Sequence, residues 1–192
     1  LSELGSGITY HLAEDDNDRV QEGLLAGDYD AIMFVSEAAL PQIEYDPLVQ
    51  APAYCLVAAD HPLGRNASVR LKELASERII VLNRPFAVDY YHRLFEETGQ
   101  SPATLAYANS TEMVRSLVGA GHGCAILNML PATDMSYAGH RLVARPIRDS
   151  LPPLSLAIGY DKANPRRIVR HFVERSKTHF AEGDGRQHIV QE

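Results

Sequence analysis

Several things are scarce in these 192 residues, and each scarcity closes off a class of protein. No run of about 18 apolar residues occurs, so no helix of the chain is expected to span a membrane. No basic opening followed by an apolar stretch marks a secretory leader. Only two cysteines are present, Cys55 and Cys124, distant in sequence and each inside an apolar run. That usage fits free thiols in a reducing compartment, so a cytoplasmic location is expected and a disulfide framework is not. Lys and Arg number 18 against 25 Asp and Glu, a net charge of −7. A surface of that sign lacks the basic footprint of nucleic-acid binding, so these residues are not expected to contact DNA themselves.

Catalytic and metal-binding signatures are absent as well. The chain contains no G-x-S-x-G elbow, no H-E-x-x-H, no C-x-x-C and no S-x-x-K. Its eight histidines are scattered, and His122 in "AGHGC" has no partner at ligand spacing, so it reads as a turn residue. The acidic "EDDND" lacks the spacing and glycine of a calcium loop and suits a solvated helix start. Neither an enzyme nor a resident metal or cofactor is expected.

What the chain does have is alternation between strand-like and helix-like stretches, with an apolar content of 45% that supports a sizeable core. Ile8, Tyr10 and Leu12 alternate with polar neighbours and predict a half-buried strand. A helix follows, with Asn17 as its N-cap, Val20, Leu24 and Leu25 as its apolar face, and Gly27 as its stop. "DAIMFV" (30–35) predicts the next strand, so the chain opens strand–helix–strand, the signature of a partly parallel sheet. Further strands are predicted at 54–59, 78–82 and 103–108, and in "HRLVARPI" and "LSLAIGY". One or two helical turns are expected at 69–75. A helix at 88–98 should bury Tyr90, Tyr91, Leu94 and Phe95, and a long amphipathic helix should run from Ile168 to Phe180. The polar, glycine-bearing tail "EGDGRQHIVQE" is expected to fray.

The stretch "EMVRSLVGAGHGCAILNMLP" (112–131) carries three glycines in five positions. Asn109, Ser110 and Thr111 offer caps for a helix, with Glu112 placed to complete a box with Asn109. Met113 with Leu117, and Val114 with Val118, should face a core. Gly119 or Gly121 can end that helix in the left-handed conformation, and Gly123 lets a strand start close against its neighbour. The order is helix, glycines, strand, whereas a phosphate loop needs strand, glycines, helix. The glycines are therefore structural.

Several segments in order resemble the effector-binding domain of LysR-type transcriptional regulators. "LLAGDYDAIMF" resembles that family's L-x-x-G-x-x-D-x-x-[ILV] segment. "ADHPLGRNASVRLKELASERIIVL" resembles its H-P-L … v-x-L-x-x-L block, the most specific match. "STEMVRSLVGAGHGCAILNMLP" resembles its [ST]-…-[LV]-V-x-x-G-x-G-…-P segment. The resemblance covers nearly the whole chain.

That resemblance implies an α/β fold of the type 2 periplasmic-binding-protein kind, two lobes joined by two crossing strands. Lobe one would hold residues 1–56 and 155–192, and lobe two residues 57–154. Family effector domains begin with a strand and helix before the segment matching "GITYHLAE", so lobe one is expected to lack them here. The winged helix-turn-helix of the family, with its linker helix, is likewise expected to lie outside this chain. The implied function is sensing a small, anionic effector in the cleft between lobes, shifting the geometry of a homodimer or homotetramer, with DNA contacted only through the missing N-terminal domain. Carried over residue by residue, the effector contacts would be Asn17, Ser36, Asn83, Arg84, Pro85, Phe86, Ser110 and Thr111. Each has a plain alternative: Asn17, Ser110 and Thr111 as caps, Arg84 as a solvated charge, Phe86 as core. A periplasmic solute-binding protein of a transporter is the rival reading, and a two-lobed enzyme a third.

Overall fold

The structure, a computed structural model, describes residues 9–102, 104–161, 163, 166–182 and 184–190. The first elements in chain order are α1 (Asn17–Ala26), β1 (Ala31–Val35), β2 (Ile43–Ala51), β3 (Tyr54–Ala58), α2 (Leu71–Leu74) and β4 (Arg78–Leu82). After them come α3 (Pro85–Glu97), β5 (Thr104–Ala108), α4 (Thr111–Gly119), β6 (Ala125–Leu127), β7 (Leu142–Pro146), β8 (Leu154–Asp161) and α5 (Arg167–Glu182). The chain divides into two compact units. The first combines the residues up to Gln50 with Leu154–Arg186, and the second combines Ala51–Pro153 with the tail from Gln187.

In the first unit the strand order is β1-β8-β2. β1 runs antiparallel to β8, with Ala31 opposite Tyr160 and Val35 opposite Leu156. Successive residues of a strand point to opposite faces, and β8 uses both. Ala157 joins Leu24 of α1 with Ile32, Phe34 and Ile43. Its neighbour Ile158 joins Val169 and Val173 of α5. One short sheet is thereby covered on both sides.

Two expectations change in this unit. The strand predicted from Tyr10 and Leu12 does not form across residues 9–12, where Tyr10 is 51% and Leu12 79% exposed, and Ile8 lies outside the described residues. Alternation makes a strand only where a neighbouring strand takes up the backbone groups, and none does so here among the described residues. β1 itself pairs antiparallel, with β8, and the parallel pairing expected of the fold lies in the second unit. Leu25 is 45% exposed, while Gln21, a polar residue on the same helix, is fully buried.

The second unit contains antiparallel strands in the order β6-β3-β7 and a parallel pair, β4 with β5. Ile80 N–H donates to Cys124 O at 2.8 Å, and Cys124 N–H donates to Arg78 O at 3.0 Å. These two bonds join β4 to the residue just ahead of β6, so the order across the unit reads β5-β4-β6-β3-β7. Tyr54, Leu56, Ile80, Val114, Val118, Leu127 and Leu142 pack as its core. The glycines act as the sequence implies: Gly121 takes φ 78° at the end of α4, and Gly123 takes φ 152°. A Cβ on Gly123 would sit 2.3 Å from Arg78 O, which shows how closely β4 and the approach to β6 meet.

The tail does not fray over its described residues. Asp184–His188 forms a 3-10 turn. Leu130 N–H donates to His188 O at 2.7 Å, and His188 Nδ1 donates to Leu130 O at 2.7 Å. Val190 packs against the core of the second unit.

Candidate functional site

The candidate residues form one group in each unit, and each group gathers at the carboxyl end of a strand, where open α/β sheets hold their ligands. In the first unit that strand is β1. Asn17 is the first residue of α1 rather than its N-cap, which falls at Asp16 without a side-chain bond. The Asn17 carboxamide turns to the end of β1 instead. Its Oδ1 accepts from Val35 N at 2.8 Å, and its Nδ2 donates to Val35 O at 3.2 Å. The side chain thus pairs with the strand edge as a neighbouring strand would. Ser36, next in sequence to Val35, donates its hydroxyl to Ser155 O at 3.3 Å.

In the second unit the group sits where β4 and β5 give way to α3 and α4. Asn83 N–H donates to Ala108 O at 2.8 Å, and Asn83 Nδ2 donates to Asn109 Oδ1 at 3.0 Å, so the two strand ends are stitched together. Arg84 occupies the N-cap position of α3 without a side-chain capping bond, and Pro85 is the first helical residue, where its missing N–H costs nothing. Phe86 is half-buried. Ser110 caps α4, its Oγ accepting from Met113 N at 3.2 Å, and Thr111 follows it, exposed. Glu112 does not close a box with Asn109. Its carboxylate accepts from Tyr137 N at 2.5 Å and pairs with Arg115. Asn83, Arg84, Ser110 and Thr111 therefore surround two helix starts whose N–H groups favour an anion.

Sequence reasoning missed the buried polar residues behind these groups. Gln21, fully buried, accepts from Leu40 N at 2.8 Å and donates to Ala38 O at 3.0 Å. Arg115, 3% exposed, donates to Thr133 O and Met135 O at 2.9 and 2.6 Å, tying the 133–137 loop to α4. Burial holds the nearby Tyr54 phenol above its usual pKa, with the Arg115 charge opposing the shift.

The first unit also carries a groove of about 470 Å³, lined by Tyr10, Leu12, Tyr29, Arg166, Ile168 and Phe172 among others. None of the eight candidate residues lines it. Val35 directs its N–H and C=O to Asn17, so the period of two places those of Ala31 and Met33 on the same edge of β1.

Two α/β units, each with its polar candidate residues at strand ends and helix starts, make up the type 2 periplasmic-binding-protein fold. The chain belongs to the family of the LysR substrate binding domain, whose model matches residues 1–181. It is 28% identical over 130 residues to the HTH-type transcriptional regulator YybE of Bacillus subtilis (strain 168), a match covering 67% of this chain and 44% of that protein. A solved LysR family regulator, the PA01 protein of Pseudomonas aeruginosa, shares the fold with a TM-score of 0.80 and 27% identity, covering 88% of this chain and 60% of that one. The effector-binding domain of BenM, solved with its effector benzoate, shows the same fold with a TM-score of 0.74 at 20% identity, covering 94% of this chain and 83% of that one. These matches thus take in less than two thirds of the length of either regulator, YybE or PA01. The relatives are regulators rather than enzymes, and among the described residues no helix is long and apolar enough to cross a membrane.

Proposed function

We propose that this chain is the sensing part of a DNA-binding transcriptional regulator and that it takes a small anionic effector. The seat in the second unit would be formed by Asn83, Arg84, Pro85, Phe86, Ser110 and Thr111, and the first unit would contribute Asn17 and Ser36. One observation carries the anionic reading: two helices of the second unit start side by side at the stitched ends of β4 and β5, with hydroxyl and guanidinium groups around them. Benzoate, the effector of BenM, is a carboxylate and has the same charge. Effector binding would shift the geometry of a homodimer or homotetramer only insofar as the ligand prefers one arrangement. DNA would be contacted by a domain outside these residues, in a cytoplasmic protein.

A thermal-shift screen against small carboxylates, phenols and amino acids tests this. A ligand at about 100 times its dissociation constant adds roughly 2.7 kcal/mol of stability. Carboxylates are expected to score, and the double variant Ser110→Ala with Thr111→Ala is expected to weaken the hit about tenfold or more. Unchanged affinity would remove those hydroxyls from the site. Hits confined to neutral phenols would remove the anion.

A further inference from the structure

One buried polar cluster in the second unit belongs to none of the groups above. Asn128 is 5% exposed, directly after β6, and its amide is fully occupied. Nδ2 donates to Ala51 O at 2.9 Å and lies 3.1 Å from Tyr90 Oη, while Oδ1 accepts from Tyr91 Oη at 3.3 Å. Tyr90 in turn donates its hydroxyl to Pro152 O at 2.9 Å. Both tyrosines are buried on α3, their rings edge-to-face at 5.2 Å. Ala51 and Pro152 are not arbitrary acceptors. The chain passes between the units after Gln50, after Pro153 and a third time after Arg186, and the first two crossings carry these acceptors. One set of three side chains therefore holds both chain segments where they belong to the second unit.

Proline explains why side chains do this. Pro52, Pro152 and Pro153 have no N–H, so the ladder between β2 and β8 stops at Ala51 and Leu154. The carbonyl of the buried Ala51 still needs a donor, which Asn128 supplies, and Tyr90 donates to that of the exposed Pro152. On the other side of the second crossing the grip resumes within two residues. Ser155 N–H donates to the Glu37 carboxylate at 2.7 Å, and Ser155 O accepts from Ser36. Between the Pro152 and Ser155 anchors only Pro153 and Leu154 remain.

We propose that Asn128, Tyr90 and Tyr91 form a clamp that fixes the first two crossings to the second unit, so that movement of those two segments is confined to Gln50 and to Pro153–Leu154. The third crossing, after Arg186, is held separately by His188. The clamp side chains are positioning residues that touch no effector. The proposal builds on the regulatory reading above, because a confined joint turns ligand preference into a defined change rather than a loose one.

Distance distributions between spin labels test the clamp. Glu22→Cys on α1 and Glu96→Cys on α3 are exposed positions, whereas the native Cys55 and Cys124 are fully buried. Labelled chain is diluted with unlabelled chain to remove distances between copies. Tyr90→Phe and Asn128→Ala are each expected to widen the distribution about twofold or more. Val118→Ala, a core change away from the clamp, is expected to leave the width unchanged. If Asn128→Ala fails to fold, Tyr90→Phe, which keeps the ring, carries the test alone. Unchanged widths in the clamp variants would overturn the proposal, and so would equal widening in Val118→Ala. A wild-type distribution indifferent to every carboxylate would count against the effector reading while leaving the clamp result standing.

Discussion

At the scale of single residues, Gly123 is the position where the backbone leaves least room. Its φ of 152° is one that side-chain-bearing residues avoid, and an added methyl group would meet Arg78 O at 2.3 Å. Gly121, two residues earlier, also has a positive φ but opens onto empty space. Gly123→Ala is therefore expected to cost about 3 kcal/mol and Gly121→Ala about 1 kcal/mol, read from urea unfolding curves. Equal costs would mean that the close approach of β4 is relaxed easily and that only the backbone conformation counts. The role of these glycines is visible in the sequence because order and spacing alone separate a structural stop from a phosphate loop. Buried polar residues are a different matter. Gln21, Arg115 and Asn128, with the half-buried Asn17, look like surface residues to any reading that equates polarity with exposure. Each instead pairs with backbone groups of a segment 17 to 77 positions away, and such partners exist only once the chain has folded.

At the scale of elements, the helices were the more legible. α3 and α4 carry apolar residues at helical spacing and end on glycines, so the sequence places both within a few residues. β2 escaped because Pro47 and its charged neighbours read as loop. It is an edge strand in β1-β8-β2, where a missing N–H can face away from the ladder. The tail was misread for the reverse reason: its composition is that of a frayed end, yet His188 returns two hydrogen bonds to Leu130 and Val190 covers apolar surface. Deleting residues 184–192 is expected to destabilise the second unit by about 2 kcal/mol, from one partly buried valine and two hydrogen bonds. With no tryptophan, intrinsic fluorescence comes from tyrosine, whose emission wavelength responds little to burial, so circular dichroism through a urea titration is the measurement. An unchanged midpoint would show that the tail merely rests on the unit.

At the scale of the whole molecule, the division of labour rests on charge. The chain carries −7 overall, yet α5 displays Arg167, Arg170 and His171 on its exposed side. The two facts pull in opposite directions for DNA, and magnitude decides between them. Non-specific binding needs several phosphates neutralised at once, and its affinity falls steeply as salt displaces the contacts. A few arginines on one helix within an acidic protein supply little of that, because the surrounding carboxylates repel the same phosphates. Fluorescence anisotropy of a labelled duplex is therefore expected to stay flat when this chain is added to about 0.1 mM in about 50 mM salt. If the proposed function holds, the chain joined to a DNA-binding domain should bind under the same conditions, with an affinity that declines as salt rises. A rise in anisotropy with the chain alone, lost in Arg167→Glu with Arg170→Glu, would place a DNA contact on α5 and undo the separation between a sensing part and a reading part.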